Sequence, residues 1–353
     1  MVQKIVSSQR RNAKGGAMTK GTKPGQFSPV SLEALELIAN AKKDPRLLLA
    51  YLGLARHTTM RDLDGRGPNM LTGAGAEKVR VLTGCGTPMA TGIVNALAGM
   101  GLIKKPAAGL PPNQARWAMQ HQGTVNIPHA LIDGIGNADG IGRLLKEGAA
   151  DEVVVCAVML LINCYAMHDL EMFGGVDYQQ IWRHWNHIVS PEGEGFRVIA
   201  EPTNDTARTK FISKIVGSMG DQVNGKDASH VFWKAFDLLK GTGLFYEVVT
   251  SISIDGERTP IRVNDFHAVG ADSSLLEAAS GLGVGFYVRK DNDRSEPEGC
   301  WFYLPSAPEK VIGIWRLRFR CATPETARGV ALEWSGVDEA IAAMCAKGVL
   351  YSG

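Results

Sequence analysis

Residues 83–106 read TGCGTPMATGIVNALAGMGLIKKP, and the fold turns on how this stretch is built. Gly84-Cys85-Gly86 is a tight turn that re-aims the chain. Thr87 is a helix cap by residue type. Pro88 suits a first helical position, where its missing amide hydrogen would have no partner in any case. Ile93, Val94 and Leu97 then recur at helical spacing and are expected to face a core. Gly101 ends the helix and Leu102-Ile103 begin a strand. A turn at GLPPN (109–113) lets residues 115–119 return antiparallel to that strand. Upstream, AGAEKVRVLTG (74–84) reads as a short helix closed by Gly84. The expected order is helix, tight turn, helix, β-hairpin.

The residues AEKV (76–79), TG (83–84), TP (87–88) and IVNALAGMGLI (93–103) carry a resemblance. The stretch resembles the winged helix-turn-helix family, in the broad manner of MarR- and GntR-like bacterial regulators, over about residues 31–120. The resemblance implies that residues 88–100 form a recognition helix that enters the major groove, with the hairpin as a wing on the backbone. Its outward face would carry Thr87, Met89, Thr91, Gly92 and Asn95. Asparagine can pair bidentately with adenine, and threonine or methionine can touch a thymine methyl. Lys104, Lys105 and Arg116 would lie on the wing strands, and Lys78 and Arg80 on the supporting helix. The helix itself has no Arg or Lys, a departure from a typical base-reading helix that argues against strong guanine readout. Flanking basic residues can still hold phosphates. The same shape also serves some proteins for protein contact alone.

Charge supports a polyanion partner for one end of the chain. Residues 1–120 hold 17 Lys and Arg against 6 Asp and Glu, whereas residues 121–353 hold 21 against 30. The asymmetry is hidden in a formal net charge of +2. Residues 1–26 contain Lys4, Arg10, Arg11, Lys14, Lys20 and Lys23, no acid and four glycines. Such a segment cannot bury enough apolar surface to fold alone. It reads either as a disordered tail or as a basic arm over 1–28 in which Arg10, Arg11 and Lys14 lie along phosphates.

Beyond the arm, Ser31 caps a helix and Pro45 restarts a second apolar one. Residues 121–150 read as a linker. The apolar run VVVCAVMLLINCYAM (153–167) contains Asn163 and is too short to span a bilayer, so it reads as a buried helix over 151–172. Residues 176–188 are expected to be helical, 196–202 a strand, 204–219 a capped helix, and 227–263 a helix followed by a two-stranded hairpin. The last region, 266–353, alternates strand-like runs with terminal helices.

The end of the motif recurs: NALAGMGLI (95–103) and DLLKGTGLF (237–245) share the frame L-x-G-x-G-L-apolar. A second winged helix over 151–265 is one reading, an arrangement that also resembles plasmid replication initiators in architecture. The other is that a helix, a G-x-G-L turn and a strand are ordinary α/β punctuation. The acidic surroundings favour a weaker DNA binder or a dimer surface for such a copy.

Other chemistry finds less support. GDQVNGKD (220–227) begins like a P-loop but puts Asp227 where Ser or Thr must bind Mg2+. GIGNADG (134–140) misses the dinucleotide spacing. His184 with His187, and Cys164 with His168, would offer four zinc ligands if each pair shared a helix. A core Cys164, with histidines at the surface or packed on the aromatic rings of Trp182 and Trp185, explains the same residues more simply. The six scattered cysteines form no CxxC pair and fit a reduced cytoplasmic protein. The expectation is therefore an α+β, helix-rich chain: a winged helix over 31–120, a candidate second one over 151–265, and an associating α/β region over 266–353. It is expected to be a non-enzymatic, sequence-specific binder of double-stranded DNA, most simply a dimeric transcriptional regulator. No cofactor, metal or membrane partner is expected. A replication initiator and a protein-interaction module are the alternatives.

Overall fold

A computed structural model describes residues 27–42, 44–61, 69–106, 116–121, 124–134, 140–169, 175–192, 195–219, 225–254, 260–267, 300–304 and 307–319. Over these residues the chain is α+β, with helices packed against antiparallel sheets. Strand β1 (Phe27–Val30) leads into α1 (Leu32–Ala41) and α2 (Pro45–Arg56). Both helices start on side-chain caps. Ser31 Oγ accepts from Ala34 N at 3.2 Å, and Asp44 Oδ1 accepts from Arg46 N at 2.9 Å with Pro45 at the first position. Helix α2 is buried almost all round, which makes it the centre of the N-terminal half rather than a surface helix.

A hairpin absent from the sequence reading follows. Strands β2 (Thr58–Arg61) and β3 (Asn69–Thr72) pair antiparallel around residues 62–68, which lie outside the described residues. Then come α3 (Ala76–Thr83), α4 (Thr87–Gly99), β4 (Ile103–Lys104) and β5 (Trp117–Met119), giving a four-stranded sheet of order β2-β3-β5-β4. Residues 121–150, expected as a linker, carry β6 (Val125–Pro128), α5 (His129–Asp133) and a 3-10 turn at Ile141–Leu145. Strand β6 pairs along the whole of β1, and Leu131, Ile141 and Leu144 are fully buried. The segment is core, because its partner strand lies about a hundred residues earlier in the chain. One continuous apolar core runs from Val30 to Phe319.

Helix α6 (Asp151–Ala166) buries every residue from 153 to 165 and stops at Ala166, short of the expected 172. After β7 (His168–Asp169) and β8 (Gly175–Val176), residues 177–180 form a turn: Asp177 Oδ1 accepts from Gln179 N at 2.8 Å, and Asp177 O accepts from Gln180 N at 2.9 Å. This side chain competes with helix propagation. The expected helix at 176–188 is instead strand β9 (Ile181–Glu192), hydrogen-bonded on both edges. Its β-branched and aromatic residues suit that state.

Strand β10 (Gly195–Ala207) returns from β9 and absorbs Asn204, so the following helix α7 (Thr209–Gly217) begins five residues later than expected and lacks a side-chain cap. Helix α8 (Gly225–Gly241), β11 (Phe245–Ile254), β12 (Pro260–His267), β13 (Cys300–Leu304) and β14 (Lys310–Leu317) complete the described chain. The large sheet has the order β12-β11-β14-β9-β10-β13. Edge-to-face contacts of Phe236 with Phe245 and Trp315 fasten α8 onto it, the last at 4.9 Å. The expected terminal helices, and much of the strand-like region from 266 onward, lie outside the described residues. No single helix among the described residues is long and apolar enough to cross a membrane; α3 and α4 pass that test only as a pair bent by 114°.

Candidate nucleic-acid interface

The turn quoted first is built as its glycines require. Gly84 closes α3 at φ +69°, and its N donates to Arg80 O at 2.9 Å. A side chain there would be strained in the left-handed region. Three residues later α4 begins, turned by 114° from α3, within the range of helix-turn-helix pairs. Gly86, not Thr87, occupies the capping position, so Thr87 and Pro88 are the first two helical residues. Thr91 Oγ1 donates back to Thr87 O at 3.0 Å.

The two faces of α4 differ sharply. Ala90, Ile93, Val94 and Leu97 are buried against α2 and α3. Thr87, Met89, Thr91, Gly92 and Asn95 are exposed, Met89 at 53%. Water-facing side chains of this helix are therefore uncharged hydrogen-bonding or apolar groups. At the C-terminal end Gly101 (φ +74°) reverses the chain into β4, whose Ile103 is buried and Lys104 exposed.

Basic residues lie on α3 and on β4, and at the ends of the loop between β4 and β5. Lys104 is paired in register with Ala118. The ammonium of Lys105 sits 4.1 Å from the centre of the Trp117 ring, a cation–π contact that holds it over the hairpin. Arg116 is exposed, and its backbone N donates to Thr72 O at 2.9 Å. Its guanidinium lies across Gly75, at the start of α3; a Cβ there would meet Nη1 at 3.1 Å. Lys78 is exposed on α3. Arg80 is exposed too, but both arms of its guanidinium engage Glu77, at 2.9 and 2.7 Å, and this hydrogen bonding holds the Glu77 carboxyl below its ordinary range. Arg80 must leave that partner before it could hold a phosphate. Arg10, Arg11 and Lys14 lie outside the described residues.

A second polar cluster has no counterpart in the sequence reading. Arg183 on β9 donates to both carboxylate oxygens of Asp205 at 3.1 Å and to Glu247 at 2.7 Å. Lys240 on α8 donates to Asp205 at 2.8 Å, and Trp185 Nε1 to Glu247 at 2.9 Å. Two acids and two bases are thus mutually satisfied. They tie α8, β9, β10 and β11 together. Burial is the main influence on Glu247 and raises its pKa. Gly313 makes room for the cluster, since a Cβ there would overlap the Glu247 carboxylate. The signal was not readable beforehand because the four ionic residues span 183–247 and meet only through sheet pairing.

The four zinc ligands considered from sequence do not converge. On strand β9, His184 and His187 are three residues apart and so point to opposite faces; His184 Nε2 accepts from Trp182 Nε1 at 2.8 Å. Cys164 is buried in α6, where desolvation raises its thiol pKa, and His168 lies on β7. Among the described residues no group of three or more His, Cys, Asp or Glu side chains could hold a metal ion. Comparison of the chain with protein-family models, with curated proteins and with solved structures finds no match.

Proposed function

We propose that this protein binds double-stranded DNA sequence-specifically through a winged helix-turn-helix unit, with α4 as the reading helix and β4–β5 as the wing. In this reading it is a cytoplasmic transcriptional regulator that works as a homodimer. One observation carries the proposal: α4 turns an uncharged face of Thr87, Met89, Thr91 and Asn95 to solvent, and the elements beside it supply Lys78, Lys104, Lys105 and Arg116. A division between base-reading and phosphate-holding groups is what duplex recognition needs. Gly92, open to solvent on the same face, lets the helix backbone approach base edges closely. Asn95 is matched to adenine, and Met89 and the threonine methyls to thymine.

Recovery of bound duplexes from a random pool, at two salt concentrations, tests the proposal. An inverted repeat is expected, since a two-fold dimer reads two half-sites. A pool that stays unenriched at both salt concentrations would sink it. A replication initiator is the second reading, favoured by the recurrence of the L-x-G-x-G-L frame at the end of α8; iterated direct repeats in the recovered pool would select it.

A further inference from the structure

The ends of α4 and α8 are built alike, atom for atom along the backbone. Leu97-Ala98-Gly99-Met100-Gly101-Leu102 stands against Leu239-Lys240-Gly241-Thr242-Gly243-Leu244. Met100 N donates to Ala96 O, and Thr242 N to Leu238 O, both at 2.9 Å. The second glycines have φ +74° and +66°. Leu102 N then donates to Leu97 O at 3.1 Å, and Leu244 N to Leu239 O at 3.0 Å. Leu102 O accepts from Gln120 N, and Leu244 O from Arg318 N, each at 3.0 Å. The next residues pair antiparallel with the residue just before those donors: Ile103 with Met119, and Phe245 with Leu317. Strand β5 therefore corresponds to β14, and each goes on to pair with a strand of an earlier hairpin, β3 or β9. Helix α6 packs on α7 and α8 as α2 packs on α3 and α4, and both are buried nearly all round. The hairpins themselves differ, since β3 is the second strand of its hairpin and β9 the first, but ordinary turn punctuation would not reproduce the bonds and the register together.

The repeated unit also carries a basic outer face. Phe211, Ile215 and Val216 of α7 are buried, while Lys210, Ser213 and Lys214 are exposed, with Arg208 exposed at its start. On α8, Phe232, Ala235 and Phe236 are buried and His230 and Lys234 are exposed. Asp237 is the one acid among the described exposed residues of these two helices, and Lys240 holds it at 2.8 Å. The acidic total of residues 121–353 thus conceals a locally cationic surface, placed on the elements that correspond to α3 and α4.

We propose that the outer face of α7 and α8 is a second duplex-DNA-binding surface, so that one chain grips a duplex through two units. The inference rests on the reading of the first unit as a duplex binder. Arg208, Lys210, Lys214 and Lys234 hold phosphates, and the face supplies affinity more than base readout, because its charged groups dominate.

The test uses the full chain, with a DNA duplex of about 40 base pairs as probe, roughly four helical turns. Wild type, Lys104→Ala/Lys105→Ala and Lys210→Ala/Lys214→Ala/Lys234→Ala are compared by fluorescence anisotropy over a range of salt, with melting and sedimentation run on each. Lys104, Lys210, Lys214 and Lys234 are exposed, Lys105 rests on Trp117, and melting checks the fold. The triple variant is expected to lower the slope of log affinity against log salt by about 2.7 for three phosphate contacts, and to weaken binding about tenfold or more at fixed salt. If the triple variant matches wild type in affinity and slope while the Lys104/Lys105 variant weakens, this inference falls and the first unit's reading stands. If the triple variant keeps its DNA affinity but changes self-association in sedimentation, the face is instead a contact between copies of the chain. If wild type binds no duplex, both readings fall.

Discussion

Gly313→Ala should damage the protein out of proportion to the single carbon it adds. A Cβ at this position would lie 2.8 Å from Glu247 Cδ and 3.0 Å from Trp185 Nε1, and would overlap Glu247 Oε1. Gly313 sits in β14, paired with Val249 on one side and Arg183 on the other, so the backbone cannot retreat without breaking two ladders. The Glu247 carboxylate must therefore move. It accepts from Arg183 at 2.7 Å and from Trp185 at 2.9 Å, and hydrogen bonds to a charged group contribute about 1.5–3 kcal/mol each. Partial relaxation keeps one of them, which sets the expected loss at about 2–4 kcal/mol. Chemical denaturation measures it. Glu247→Ala in the same chain removes the carboxylate that clashes, so the double variant should cost much less than the two single losses added together. Additive losses, or a Gly313→Ala cost below about 0.5 kcal/mol, the level of an ordinary surface change, would refute the steric argument.

The remaining predictions concern α4, the acid response and the arm. Leu97→Ala should destabilise the fold by about 2–5 kcal/mol through a cavity, because Leu97 is fully buried; Asn95→Ala should leave melting nearly unchanged and lose about 1–3 kcal/mol of discrimination at one base pair. Melting and operator affinity of the two variants separate these effects, and equal melting losses would contradict the two-faced helix. Burial, followed by the neighbouring Arg56, lowers the pKa of His57 and of His129 from an ordinary 6.5. The unfolded chain then takes up these protons first as pH falls, so stability present above about 6.5 is lost through and below that value; Glu247, with its raised pKa, acts in the opposite sense. The His57→Gln/His129→Gln double variant should flatten the fall in denaturation midpoint between about pH 7 and pH 5, and an unchanged profile would remove the histidines from the account. Deleting residues 1–26 should weaken binding to all duplexes alike and flatten its salt dependence; an unchanged slope would show that the arm touches no phosphate.

Features set by local backbone chemistry were legible in the sequence. Ser31 and Pro45 mark helix starts because an orphan amide or a missing one needs that residue type, and Gly84 and Gly101 mark reversals because the chain there has positive φ. The inward and outward residues of α4 followed from period alone. Features set by distant partners were not legible. Strand β6 reads as linker until β1 lies beside it. The stretch I-W-R-H-W-N-H at 181–187 fits a helix pattern until Asp177 turns the chain and β10 and β14 take both of its edges. In the candidate site, Lys78, Lys104 and Arg116 were found from position on the motif, whereas the pairing of Arg80 with Glu77 depends on rotamers that spacing only permits. On α8 helical period places His230 and Lys234 outward, whereas the basic character of the α7 and α8 face is not legible in the net charge of residues 121–353.

The central claim is duplex recognition by α4 and its flanking cations. It is tested most directly by the affinity of the full chain for a selected duplex and for a scrambled one, in wild type, in Asn95→Ala/Thr91→Ala and in Lys104→Ala/Lys105→Ala. The account predicts that the helix variant loses preference for the selected duplex while still binding both, and that the lysine variant binds both more weakly with its preference intact. If neither variant differs from wild type on either duplex, α4 is not the reader and this surface does not hold DNA.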